Sequence, residues 1–136
     1  MSTSLLAVTL AAAFATSTVA PIESVSLHAG NDSRLAGRVT YRAAGQGTAL
    51  SYRLSGLAPG TSVRLLFQAG GCARHGASFA VAGSSRAAAD GTFAGHGRLL
   101  FHGLPVGIGI VADGKHVFTL VVAGVQRACA RIPGMD

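Results

Sequence analysis

Apolar and polar positions alternate with a period of two along most of the chain after Pro21. In Ser24–Ala29, Val25 and Leu27 alternate with polar or small residues. In Gly37–Ala43, Val39 and Tyr41 fall on one side while Arg38, Thr40 and Arg42 fall on the other. Thr48–Leu57 places Leu50, Tyr52 and Leu54 inward and Ser51, Arg53 and Ser55 outward. Successive side chains of a strand point to opposite faces, so the pattern predicts half-buried antiparallel strands. Further strands are predicted over Ser62–Ala69, Ser78–Gly83, Thr92–Ala94 leading into Gly97–His102, Val106–Val111, Val117–Val122 and Arg127–Ile132.

Turn chemistry separates these runs. Ala44-Gly45-Gln46-Gly47 has hairpin length, and Ala58-Pro59-Gly60-Thr61 turns the chain ahead of Ser62. Asp90-Gly91 and Asp113-Gly114 read as hairpin turns of type I′, the second between Gly107–Val111 and His116–Ala123. Gly70–Ala77 is the one irregular stretch. Seven to nine short strands at roughly ten-residue spacing predict an all-β, antiparallel Greek-key sandwich or barrel. With no helical period, repeat or low-complexity linker, residues 21–136 are expected to form a single domain.

Residues 1–20 break the alternation. An apolar stretch from Leu5 to about Phe14 is shorter than the roughly 20 residues that span a bilayer, and it suits the central region of a signal peptide. Cleavage is expected after Ala15 or Ala20, and Pro21 disfavours the later site. No Lys or Arg precedes the apolar stretch, so a buried N-terminal helix is the competing reading. Export implies a secreted, periplasmic or cell-surface protein with no membrane-spanning segment in its mature chain. In such a compartment Cys72 and Cys129 are expected to pair, whereas two separate buried thiols would suit the cytosol.

Composition narrows the partners. The chain has 136 residues, 49% of them hydrophobic and 12% charged, enough apolar material for a core and too little charge for a disordered tail. The net charge of +6 comes from ten arginines and one lysine against five carboxylates. A basic balance favours anionic partners, including acidic surface polymers. The arginines are scattered and tryptophan is absent, which argues against a stacking platform for nucleic acid. Leu66, Val117 and Val121 read as exposed apolar positions that would suit a homodimer seam.

Three segments occur in an informative order: Leu54-Ser55-Gly56-Leu57-Ala58-Pro59-Gly60, Gly70-Gly71-Cys72 and Arg127-Ala128-Cys129-Ala130-Arg131-Ile132. Together they resemble the copper–zinc superoxide dismutase-like family in its short exported bacterial form, over about Ser24 to Ile132. The resemblance implies a Greek-key sandwich, a Cys72–Cys129 disulfide, and a copper held by imidazoles with zinc bridged through one of them. The positions that would supply those imidazoles do not. Leu65 and Phe67 stand at the first pair, Ser78 at the bridging position, and Thr119–Ala123 is apolar around the last.

The histidines offer one alternative set for copper or zinc: His28, His75, His96 and His116. His96 and His102 fall on one predicted strand face, but six residues of strand span about 20 Å. Ligands of one metal lie about 3–4 Å apart, so those two cannot share an ion. No H-x-H or C-x2-C pair occurs, and no serine sits in a nucleophile-elbow setting. The expected function is an exported superoxide dismutase-like sandwich, non-catalytic, with a structural or binding role. Superoxide dismutation through the rearranged histidines is the alternative.

Overall fold

The computed structural model describes residues 21–28 and 34–135; of His28, His75 and Phe79 it describes the backbone only. The expected signal peptide lies outside these residues. The strands are β1 (Glu23–His28), β2 (Ala36–Ala44), β3 (Gly47–Ser55), β4 (Ser62–Gly70), β5 (His75–Arg86), β6 (Phe93–Arg98), β7 (Leu100–Phe101), β8 (Leu104–Pro105), β9 (His116–Val122) and β10 (Val125–Arg131). A single helical turn, α1 (Ile108–Val111), precedes β9. Sheet A has the order β1-β2-β3-β6 and sheet B the order β10-β9-β4-β5, all pairings being antiparallel. The chain leaves sheet A after β3, forms β4 and β5, and returns to place β6 beside β3, which is a Greek-key connection. The fold is an all-β sandwich with one disulfide.

The core follows from the alternation. Val25, Leu27, Val39, Tyr41, Leu50 and Leu54 of sheet A meet Val63, Leu65, Phe67, Phe118 and Leu120 of sheet B. The sandwich closes where β5 meets β6 and where β1 meets β10. Tyr52 packs at the first seam, stacked on Phe93 with ring centroids 4.9 Å apart. A Cβ at either Gly83 or Gly95 would overlap the Tyr52 phenol, so both strands present bare backbone to it.

Val106–Val111, expected as a strand, crosses the open end of the sandwich instead and ends in α1. Both edges of β9, the strand that follows it, are already taken, by β4 and β10. Val106 draws on local partners: its N–H donates to Leu99 O at 3.0 Å, and its carbonyl accepts from the Thr48 hydroxyl at 2.8 Å. Val106 and Val111 are thereby buried.

The two Asp-Gly turns are not of type I′. In each, only the glycine has positive φ, +82° at Gly91 and +80° at Gly114. The aspartate instead accepts a hydrogen bond from the N–H two residues on, Thr92 at 3.1 Å and Lys115 at 2.8 Å. Asp90-Gly91 joins sheet B to sheet A, and Asp113-Gly114 joins α1 to β9. The positive-φ pairs are His102-Gly103 and Ala123-Gly124, between β7 and β8 and between β9 and β10. His102 therefore sits in a turn and does not share a strand face with His96.

The outer face of sheet B is partly covered, around β4 and β9, while Val81 of β5 stays exposed. Cys129 points away from the core, since its neighbours Ala128 and Ala130 point in. Its Cα lies 5.7 Å from that of Cys72, in the β4–β5 turn. β9 separates β4 from β10, so the turn folds back across β9 to reach its partner. Leu66, Gln68, Val117 and Thr119 are buried on this side. The Thr119 hydroxyl donates to Gln68 Oε1 at 2.6 Å, and Gln68 Nε2 donates to Gly76 O at 3.2 Å. Leu66 and Val117 are thus not the exposed seam that their outward position suggested.

Two measurements test this packing. The disulfide closes a separation of 57 residues, so Cys72→Ala/Cys129→Ala is expected to lose about 4 kcal/mol in urea unfolding. Gly83→Ala is expected to cost about 2 kcal/mol through overlap with Tyr52. Gly97→Ala, where an added Cβ meets open space, is expected to leave stability nearly unchanged.

Candidate functional site

The outer face of sheet A is assembled from the positions that alternate with the core. Strand register lines them up in rows across the sheet. Ser24, Thr40, Ser51 and His96 form one row, and Ser26, Arg38, Arg53 and Ala94 form the next. On the other side Arg42, Ala49 and Arg98 form a third row, with Ile22 beside it. A hydroxyl-and-imidazole stripe thus runs between two arginine rows. Depressions of about 530 and 240 Å³ share Thr40 and Ser51, making one trough.

Arg38, Arg42, Arg53, Arg98, Ser51 and His96 are exposed. Thr40 Oγ1 and Ser51 Oγ are 2.5 Å apart, and Arg98 Nη1 donates to Ala44 O at 3.1 Å, which pins that side chain at the rim. Arg38 and Arg53 stand directly opposite one another on adjacent strands. Like charges in that relation repel. Among the described residues, no carboxylate forms an ion pair with any of these four arginines. Asp90, beyond the end of β5, is held below its ordinary value by the Thr92 hydroxyl and N–H, with Arg53 adding the smallest part. The trough suits oxyanions, which guanidinium groups grip in pairs of hydrogen bonds.

The superoxide dismutase-like ligand positions lie elsewhere. Leu65 and Phe67 are in the core. Thr119 is buried under the disulfide-linked turn, and Ser78 lines a cavity at the open end of the sandwich. Of the alternative histidines, His96 lies on the outer face of sheet A. His116 lies in sheet B and stacks on Phe67 at 4.6 Å. The structure does not bring these two together. His28 ends β1 and His75 begins β5, in different sheets, and their side chains are outside the description. Among the described residues, no three His, Cys, Asp or Glu side chains converge on a metal position.

One histidine does have a carboxylate partner. His116 Nδ1 lies 2.9 Å from Asp113 Oδ1, which also accepts from Lys115 N–H. Partial burial pulls the Asp113 carboxyl upward, yet the His116 and Lys115 hydrogen bonds and charges outweigh it and leave it below the ordinary 3.8. The pair was not legible in the sequence as a site. Asp113 reads there only as a turn residue, although D-x-x-H at a strand entry was the available signal.

A depressed carboxyl contributes stability above its ordinary pKa and loses it as pH falls through the folded value. The melting temperatures of the native chain and Asp113→Asn are expected to differ at about pH 6 and to converge as pH falls through the folded value of Asp113.

Comparison with protein-family models, with curated proteins and with solved structures finds no match for this chain.

Proposed function

We propose that this protein is an exported, non-catalytic β-sandwich of superoxide dismutase-like architecture that holds an anionic polymer against the outer face of sheet A. The observation that carries the reading is the directly opposed Arg38–Arg53 pair beside a hydroxyl row, with no carboxylate paired to it among the described residues. Two cations set against each other weaken a sheet unless an anion lies between them. A bound phosphate, sulfate or carboxylate group relieves that repulsion, and the Ser24–Thr40–Ser51–His96 row supplies further polar groups beside it. A chain of repeated anions would also reach the Arg42 and Arg98 side of the trough. Arg38 and Arg42 are four residues apart on one strand, about 13 Å.

Support for the superoxide dismutase-like architecture comes from the Greek-key sandwich and from the tie between the β4–β5 turn and the last strand. The non-catalytic reading rests on Leu65 and Phe67 standing in the core where the resemblance asks for metal ligands. Export rests on the apolar leader and on the paired cysteines.

Long-chain polyphosphate is a suitable probe. Its binding is expected to weaken steeply with salt, and Arg38→Gln/Arg53→Gln is expected to lower the log–log salt slope by about 2. Arg74→Gln/Arg131→Gln, off this face, serves as the control. Salt-insensitive binding, or equal slopes in the two double variants, overturns the reading. Stoichiometric copper or zinc at nanomolar affinity in the oxidised protein would overturn its non-catalytic part.

A further inference from the structure

The open end of the sandwich holds a second, chemically different cavity. Phe67, Ala69, Ser78 and His116 form its floor, where the inner faces of β4, β5 and β9 run out. Phe101, Leu104 and Pro105 of the β7–β8 hairpin and Ile110 of α1 form its cover. The space between is about 320 Å³, at the small end of the roughly 300–1,000 Å³ typical of ligand sites. The cover also carries much of the exposed apolar surface of the molecule: Leu104 is 69% exposed and Ile110 53%. Carbon surface left in water around an apolar hollow is a feature of binding sites.

The lining has two side chains with polar groups, Ser78 and His116, and the second is held in place. Its ring lies flat on Phe67, the planes 7° apart, and Asp113 takes the Nδ1 side. An ionised carboxylate only accepts hydrogen bonds, so in the neutral ring Nδ1 carries the proton and Nε2 presents a lone pair. A guest matched to this cavity therefore has an apolar body and a single group that donates a hydrogen bond.

We propose that the open end of the sandwich binds a small, flat, apolar molecule bearing one hydroxyl, a phenol-like compound whose O–H donates to His116 Nε2. One or two rings fill the volume, and the Leu104 and Ile110 side chains close over the part that would otherwise face water. The site is independent of the arginine trough, since no residue lines both.

The test uses 2-naphthol and naphthalene as probes on the oxidised protein, followed by fluorescence titration. 2-Naphthol is expected to bind saturably at one site, about fivefold more tightly than naphthalene, the value of one neutral hydrogen bond. His116→Phe keeps an aromatic ring on Phe67 and is expected to abolish that preference, with His116→Leu, which also has no acceptor, giving the same loss. Leu104→Asp and Ile110→Asp change exposed residues and are expected to weaken both probes at least tenfold while circular dichroism stays native. The proposal is overturned if neither probe saturates, if both Asp variants bind like the native chain, or if the preference for 2-naphthol survives in both His116 variants.

Discussion

The bond between Cys72 and Cys129 decides which surfaces of this molecule are available. By drawing the β4–β5 turn across β9, it covers the part of the outer face of sheet B that holds Leu66, Val117 and the Gln68–Thr119 pair. A sandwich ordinarily has two outer faces. Here one is partly covered, and the surfaces with a depression of clear chemical character include the outer face of sheet A and the open end between the sheets. These two surfaces differ in kind, one cationic and shallow, the other apolar and recessed.

Much of the fold was legible because the alternation is strict wherever a strand has one wet face. β2, β3, β4 and β9 begin and end within two residues of their predicted limits. The failures come where the environment of a strand departs from that condition. Leu66 and Val117 alternate outward correctly, and only the covalent tie, acting from a distant turn, places cover over them. Val106–Val111 has strand composition, but β9, the strand it leads into, has β4 and β10 on its two sides. The Asp-Gly turns failed because a side chain satisfied the backbone where a hairpin ladder was expected, a choice that depends on where the next strand goes.

The sites were less legible than the fold. Single arginines on successive strands look scattered in sequence, since the register that places Arg38 against Arg53 and Arg42 near Arg98 is a property of pairing. The histidines are the opposite case. Grouped by residue type they form a set, whereas the sandwich assigns His96 to a solvent face and His116 to a gap between sheets. The resemblance located the disulfide correctly because a cross-link is fixed by two positions. A metal centre needs several positions at once, and Leu65 and Phe67 contribute to packing instead.

The seam at Tyr52 has a practical consequence. The chain contains no tryptophan and two tyrosines, so its intrinsic ultraviolet signal comes from Tyr41 and Tyr52. Tyr41 is tilted against Phe118 and Tyr52 is stacked on Phe93. Burial pushes both phenols above their ordinary pKa, with Glu23 adding to the effect at Tyr41. Both chromophores therefore report on whether the two sheets are closed, Tyr52 at the β5–β6 seam and Tyr41 between the sheets against Phe118. A spectroscopist has a built-in gauge of sandwich integrity, with no need for an added label.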